Sequence, residues 1–498
     1  MDYTGIKALV MGLGLHGGGL ESARFLLKQG ADVTVTDLRD EKILAPSIEQ
    51  LDRICNELGG NPVRYVLGRH EINDFKNAAL VIKNPGVRPD SPFLKASKRI
   101  ETDLSLFLRR SPSRLFAVTG TKGKSGTASA LHWILSSDRK SGKAFLGGNI
   151  TVSPLTFLDE LAEKDDVVLE LSSFQLGDIK NHAAADGSRL LKPKAAVLTP
   201  VMHDHLDRYV SMEEYIDDKR NIYRGQDSSC ITVAGNDNWG KSFLGETKGR
   251  PLLCSLSPLG EDISGGWIDA DGAGFARIKN PGKNKNTEPE KEPPPHLTEE
   301  TVELVPRCLL IQGNHQRQNM LSAALAAYGL GVNPDTIRGA LASFKGIEHR
   351  LEMFHEADKI YYYNDSAATI PEAAAACIEA LSANAPLVLV TGGTDKNLDF
   401  SPLAQAAKKA DEVILLAGTG SEKLKKLLNE NGVKYKGPFD DLNDAVRYAV
   451  KAAENLKHKK NSCNAALSPG CASFGMFLNE FDRGRKWKEA VLMQSGAN

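Results

Sequence analysis

The segment Phe116-Ala117-Val118-Thr119-Gly120-Thr121-Lys122-Gly123-Lys124-Ser125 constrains this chain more than any other. An apolar run enters a glycine-rich turn, and a helical pattern through Leu135 leaves it. A strand that hands over to a helix in this way calls for α/β architecture and a parallel sheet. The turn has the composition of a phosphate cradle. Backbone N–H groups can face an anion at the helix N-terminus, Lys124 can neutralise terminal phosphates, and the Ser125 hydroxyl can reach a magnesium ion. The first glycine stands two residues closer than in G-x-x-x-x-G-K-[ST]. A flexible basic loop is the competing reading, but strand, loop and helix together favour ATP. Gly120, Thr121, Lys122, Gly123, Lys124, Ser125, Gly126 and Thr127 are therefore the expected ATP-binding residues.

Similar openings occur twice more. Ala8-Leu9-Val10-Met11 runs into Gly12-Leu13-Gly14-Leu15-His16-Gly17, Leu20, Ala23 and Leu27 recur at helical spacing, and Val33 and Val35 lead to Asp37. Beyond residue 350, Lys359 to Tyr363 reads as a strand and Pro371-Glu372 opens an alanine-rich helix. Leu387 to Val390 and Val413 to Leu416 are short apolar runs that meet glycine loops. Three openings in 498 residues predict three α/β domains. They are a Rossmann-like N-terminal domain (1–108), a central P-loop-type ATPase domain (109–346) and a Rossmann-like C-terminal domain (347–498). Asn280 to Pro295 is rich in Lys, Glu, Asn and Pro and nearly free of apolar residues, which predicts a flexible surface insertion.

Charge narrows the function. Lys and Arg number 62 against 63 Asp and Glu, so no electrostatic case exists for nucleic acid or an anionic membrane as partner. Seven scattered cysteines without a CxxC pair argue against a disulfide framework and a zinc site. Asp2 stands where a leader would be basic, and no stretch is long and apolar enough to span a bilayer. A soluble cytoplasmic chain is expected.

Three further segments can carry chemistry. Gly12 to Gly17, followed by Asp37 at the end of the next strand, fits a dinucleotide fingerprint, in which the acid takes ribose hydroxyls. A tight turn without ligand is the competing reading, and an NAD-dependent dehydrogenase would leave Gly123-Lys124-Ser125 without a role. Glu170 interrupts the apolar run Val168-Leu169-Glu170-Leu171. It either ligates a hard cation such as Mg²⁺ or faces solvent on a sheet edge. His203-Asp204-His205-Leu206-Asp207-Arg208 follows the apolar run Ala196-Val197-Leu198, where α/β proteins place chemistry, although a satisfied polar loop also fits.

Taken in order, these motifs resemble the Mur ligase family across nearly the whole chain. The resemblance rests on the Gly12 and Gly123 loops, Glu170-Leu171-Ser172-Ser173-Phe174-Gln175-Leu176 and Asp204-His205-Leu206-Asp207-Arg208-Tyr209. It continues through Gly313-x-His315 with Asn319, His349-Arg350, Asn364-Asp365-Ser366, Gly392-Gly393-x-Asp395-Lys396 and Ser468-Pro469-Gly470-Cys471-Ala472-Ser473-Phe474. Several of these forms are similar to the glutamate-adding branch. The resemblance implies a monomeric ligase of peptidoglycan precursor synthesis. ATP would phosphorylate the carboxylate of UDP-N-acetylmuramoyl-L-alanine (UDP-MurNAc-L-Ala), and the glutamate amine would displace the phosphate. A relative with different amino-acid specificity is the alternative.

The resemblance also implies roles for single residues. Lys124, Glu170, His205 and Lys219 would be catalytic. Ser125 and Glu170 would hold one of two Mg²⁺ and His205 the other, with Lys219 as a carbamylated lysine able to ligate metal. Lys219 read locally is a helix-surface lysine, and His205 read alternatively orients another group. Asn319, Arg350 and Asp365 would complete the ATP site. Leu15, His16, Asp37, Arg39 and Asn149 would contact the UDP substrate. Lys396, Ser473 and Phe474 would engage the amino acid. Ala367 stands where many glutamate-adding relatives have lysine.

Overall fold

The computed structural model describes residues 3–14, 17–138, 140, 142–150, 152–202, 208–279, 300–311, 313–395, 398–473 and 475–496. The insertion over 280–295, Leu15, His16, His205, Lys396 and Phe474 lie outside these residues. Three sheets organise the chain, as the three predicted openings require. The first sheet is parallel, in the order Arg64–Leu67, Asp32–Asp37, Lys7–Met11, Leu80–Lys83, Ile100–Glu101. The second has nine strands. Its parallel part runs from Ala144–Gly148 through Asp166–Glu170, Arg114–Thr119, Ala195–Leu198, Ile231–Gly235 and Arg250–Ser255 to Gly265–Ile268. Two antiparallel strands, Gly274–Arg277 and Val302–Val305, extend it. In the third, Ile360–Asn364, Cys463–Leu467, Leu387–Thr391, Glu412–Leu416 and Lys436–Phe439 are parallel, with Glu352–Ala357 antiparallel at one edge.

The chain packs as two compact units. Residues 1–307 and 317–341 carry the first two sheets, and residues 308–316 and 342–498 carry the third. The strand Asp166–Glu170 is buried at every position because sheet neighbours flank it and helices cover it. Val167, Val168 and Leu169 are wholly buried, each contributing about 1.5–3 kcal/mol before entropy is subtracted. Among the described residues no helix is long and apolar enough to cross a membrane.

The fold sets three strand ends side by side in the second sheet. Thr119, Glu170 and Leu198 close their strands, and the loops after them supply Gly120, Ser172 and Thr199. Ligands of α/β proteins bind at the carboxyl ends of parallel strands.

Candidate active site

The glycines of the cradle are steric necessities. A Cβ on Gly120, at φ 144°, would lie 2.0 Å from Thr199 Oγ1, and one on Gly123, at φ 87°, 2.4 Å from Asn319 Oδ1. Asn319, 7% exposed, is thus pressed against the cap of the helix Lys124–Ser137, an end of the helix that favours an anion. Lys124 folds back over this turn, and its Nζ donates to the carbonyls of Gly120 at 3.1 Å and Thr121 at 3.0 Å. Thr127 Oγ1, in the first turn of that helix, is buried without a hydrogen-bond partner among the described residues. Ser125 is half-buried and Lys122 exposed at the mouth.

Glu170 sits in the sheet interior, between Arg114–Thr119 and Ala144–Gly148, so the solvent-facing edge reading is overturned. It is 1% exposed. Asn149 Nδ2 donates to its Oε1 at 2.9 Å, while Oε2 has no partner among the described residues. A buried carboxylate oxygen without a donor costs about 1–3 kcal/mol, more when charged. A hard divalent cation is the chemistry that offsets this, and an all-oxygen donor set beside a glycine-rich helix N-terminus fits magnesium. Asn149, expected at the UDP substrate, holds the carboxylate here, and its backbone N–H also donates to the Glu170 carbonyl at 2.7 Å.

Lys219 is not on the helix surface. It is 1% exposed on Met212–Arg220, its Nζ donates to the Gly120 carbonyl at 2.9 Å, and it lies 4.5 Å from the Tyr215 ring centroid. The Tyr215 hydroxyl is 2.9 Å from Thr121 Oγ1, so this helix is fastened to the cradle twice. Lys124, Lys219 and Glu170 thus gather around one set of strand ends.

In the first sheet, Asp37 closes the glycine turn. Its Oδ2 accepts from Gly14 N at 3.2 Å and its Oδ1 from Arg39 N at 2.9 Å, while Arg39 is exposed. Asn84-Pro85-Gly86, a turn after a strand that sequence reading passed over, faces this loop, since a Cβ on Gly12 would lie 3.1 Å from Asn84 Cβ. Arg208 reaches that turn from the second sheet's domain. It donates to the carbonyls of Pro85 at 3.1 Å and Val87 at 3.3 Å and stacks 3.7 Å from the Phe174 centroid. The buried Lys83 and the half-buried Asp178 pair at 2.6 Å across the same junction. An N-P-G turn and a lysine inside the apolar strand Leu80–Lys83 were the available signals.

In the second unit, the loop bearing Arg350 is held in an unusual conformation. His349 and Leu351, at φ 65° and 45°, flank the exposed Arg350. Asn364 Nδ2 lies 2.8 Å from His349 Nδ1 and donates to Glu352 at 3.1 Å, which over-determines the strained turn. Asp365, 6% exposed, accepts from Leu351 N at 3.0 Å and from Ser468 Oγ at 2.6 Å. Burial pushes its carboxyl up to about 6. A raised pKa makes this carboxyl favour folding at low pH, and that contribution is lost as pH rises through about 6. The shift from 3.8 to about 6 is worth on the order of 3 kcal/mol. Asp365→Asn should therefore flatten the pH dependence of stability between pH 4 and 8, as denaturant unfolding at both pH values would show. Ser473 is buried beside the bridge between Thr394 and Ala472.

A phosphate cradle, a metal-ready buried carboxylate and a separate α/β unit define an ATP-using α/β enzyme. Three family models match: the MurD-like N-terminal domain of the Mur ligases over residues 6–104, the Mur ligase middle domain over 118–260, and the Mur ligase glutamate ligase domain over 349–457. Curated relatives named UDP-N-acetylmuramoylalanine–D-glutamate ligase cover almost the full chain. That of Treponema pallidum (strain Nichols) is 36% identical over 98% of this chain and 97% of its own. That of Roseiflexus sp. (strain RS-1) is 37% identical over 99% of both. Among solved structures, the UDP-N-acetylmuramate-alanine ligase MurC of Thermotoga maritima shares the fold at TM-score 0.56 and 20% identity, covering 98% of this chain and 99% of its own. The chain belongs to the Mur ligase family. It is accordingly an ATP-dependent ligase, which implies ATP and magnesium.

Proposed function

We propose that this enzyme joins glutamate to UDP-MurNAc-L-Ala, the pair that its relatives' names give, and that it does so through an acyl phosphate. The observation that carries this reading is the Gly120–Ser125 cradle set beside the buried, half-satisfied carboxylate of Glu170. Phosphoryl transfer to a carboxylate requires two anions to be brought together and their repulsion screened. Amides at the start of Lys124–Ser137 receive phosphate oxygens, and the Lys124 ammonium swings from the Gly120 and Thr121 carbonyls onto the terminal phosphate. Glu170 and Ser125 would hold magnesium, which would supply positive charge against the phosphates. The Asp37–Gly14 turn and the Asn84 loop take the UDP portion, with Arg39 at the rim. The Ser473 region, with Lys396 and Phe474, takes the amino acid.

Two magnesium ions are proposed, the second held by His205 and a carbamate on Lys219. A carbamate requires a lysine shielded from water, and Lys219 is buried 2.9 Å from the cradle backbone. Lys219→Ala should lower turnover at least a hundredfold, with short carboxylic acids restoring part of it; unaltered activity would remove the carbamate. Domains spanning 1–108, 109–346 and 347–498, a monomeric state and a cytoplasmic location complete the proposal. The test is ADP release with UDP-MurNAc-L-Ala against a panel of D- and L-amino acids, with the product identified by mass. Turnover with glutamate of one hand supports the assignment, and turnover with a neutral amino acid alone defeats it.

A further inference from the structure

Arg483 is the feature of the second unit that the proposed reaction leaves unexplained. It stands on the helix Glu480–Gln494 and is 1% exposed, yet no Asp or Glu among the described residues lies within ion-pair distance of it. Its partners are neutral oxygens. Nε donates to Ser366 Oγ at 3.0 Å, Nη2 to the Ser366 carbonyl at 2.9 Å and Nη1 to the Cys471 carbonyl at 3.2 Å. Ser366 Oγ in turn donates to the Glu480 carbonyl at 2.7 Å. A Cβ on Gly393 would stand 3.7 Å from Nη1. The guanidinium thus lies where three loops meet at the carboxyl ends of Ile360–Asn364, Leu387–Thr391 and Cys463–Leu467.

A buried charge without a counter-ion is costly, and proteins pair or hydrate such groups. Arg has five N–H groups. Three are taken up by the oxygens above, which leaves one hydrogen on each terminal nitrogen. That pair is the fork a carboxylate accepts end-on. Burial also pushes the guanidinium down to about 10, against the weaker opposing pull of the Cys471 thiol and the Glu480 and Asp365 carboxylates.

We propose that Arg483 is a specificity-determining residue whose missing counter-ion is a carboxylate of the incoming amino acid, so that its charge selects an acidic substrate. This rests on the ligase reading above. Ser366 and Cys471 hold the fork open, and the neighbouring Ala367 adds no charge of its own.

The test compares kcat/KM for glutamate, of the hand that turns over, with kcat/KM for glutamine in wild type, Arg483→Gln and Arg483→Lys. Glutamine keeps a donor for the loop carbonyls without the charge, and lysine keeps the charge without the fork. The glutamate-over-glutamine ratio should fall at least tenfold in Arg483→Gln and stay within threefold of wild type in Arg483→Lys, while the KM for ATP moves less than twofold in both. Rates that fall for both amino acids at a constant ratio would make Arg483 a structural strut and overturn the proposal. Should Arg483→Gln fail to fold, Ala367→Glu decides. A carboxylate beside Ser366 should raise the melting temperature of the unliganded protein and raise the KM for glutamate at least tenfold. An unchanged or lower melting temperature would contradict the proposal. Wild type that turns over no amino acid would instead defeat the ligase reading itself.

Discussion

Lys124→Ala should reduce ADP release by at least a thousandfold while the affinity for UDP-MurNAc-L-Ala changes less than about twofold. A thousandfold loss corresponds to about 4 kcal/mol of transition-state stabilisation. That size is expected because the ammonium already lies over the cradle, bonded at present to the carbonyls of Gly120 and Thr121. Phosphoryl transfer draws most of its acceleration from such fixed charge and from positioning. The fold should survive, since the hydrogen bonds from this half-buried ammonium to the Gly120 and Thr121 carbonyls are worth about 1–2 kcal/mol each. Nucleotide-sugar titration separates the two effects, because the Asp37 turn lies in a different sheet from the cradle. Retained turnover would remove Lys124 from the reaction.

The second large effect is expected at Glu170. Glu170→Gln keeps the shape and an oxygen that can accept from Asn149 but removes the charge. Turnover should fall by about two to three orders of magnitude, or about 3–4 kcal/mol, and the magnesium concentration for half-maximal rate should rise at least tenfold. The metal-free variant should melt at a higher temperature than the wild type, because Oε2 is buried with no donor among the described residues and the amide relieves a desolvated charge. A lower melting point together with an unchanged magnesium requirement would identify Glu170 as a structural residue. The pair of readouts matters because loss of activity alone accompanies either role.

What was legible in the sequence is what depends on local backbone geometry. Gly120 and Gly123 could be read because only glycine permits their positive φ and the approach of Thr199 and Asn319, and a strand before them with a helix after them is a local pattern. Glu170 was ambiguous because interior and edge strands look alike until the sheet order is known, and that order joins residues 118 and 170 across two crossovers. Lys219 could have been placed by periodicity. Tyr215 and Ile216 are buried on the same helix, and Lys219 follows them at spacings of four and three. Arg483 carries the same sign, four residues before the wholly buried Trp487. In each case a charged residue lies on an apolar stripe, the pattern to weigh when seeking functional charges in a sequence. The partners of Arg208 and Lys83 were invisible for another reason. Carbonyls of Pro85 and Val87, and the carboxylate of Asp178, come to them from 95 or more residues away. Only the tertiary arrangement supplies them.

Ligation by this route depends on one event, the transfer of the γ-phosphoryl group from the Gly120–Ser125 cradle to the substrate carboxylate. Synthesis with UDP-MurNAc-L-Ala carrying ¹⁸O in its alanyl carboxylate follows that event atom by atom. If an acyl phosphate forms, the inorganic phosphate released with each turnover carries one ¹⁸O from the substrate. Phosphate free of label, alongside normal product formation, would contradict it.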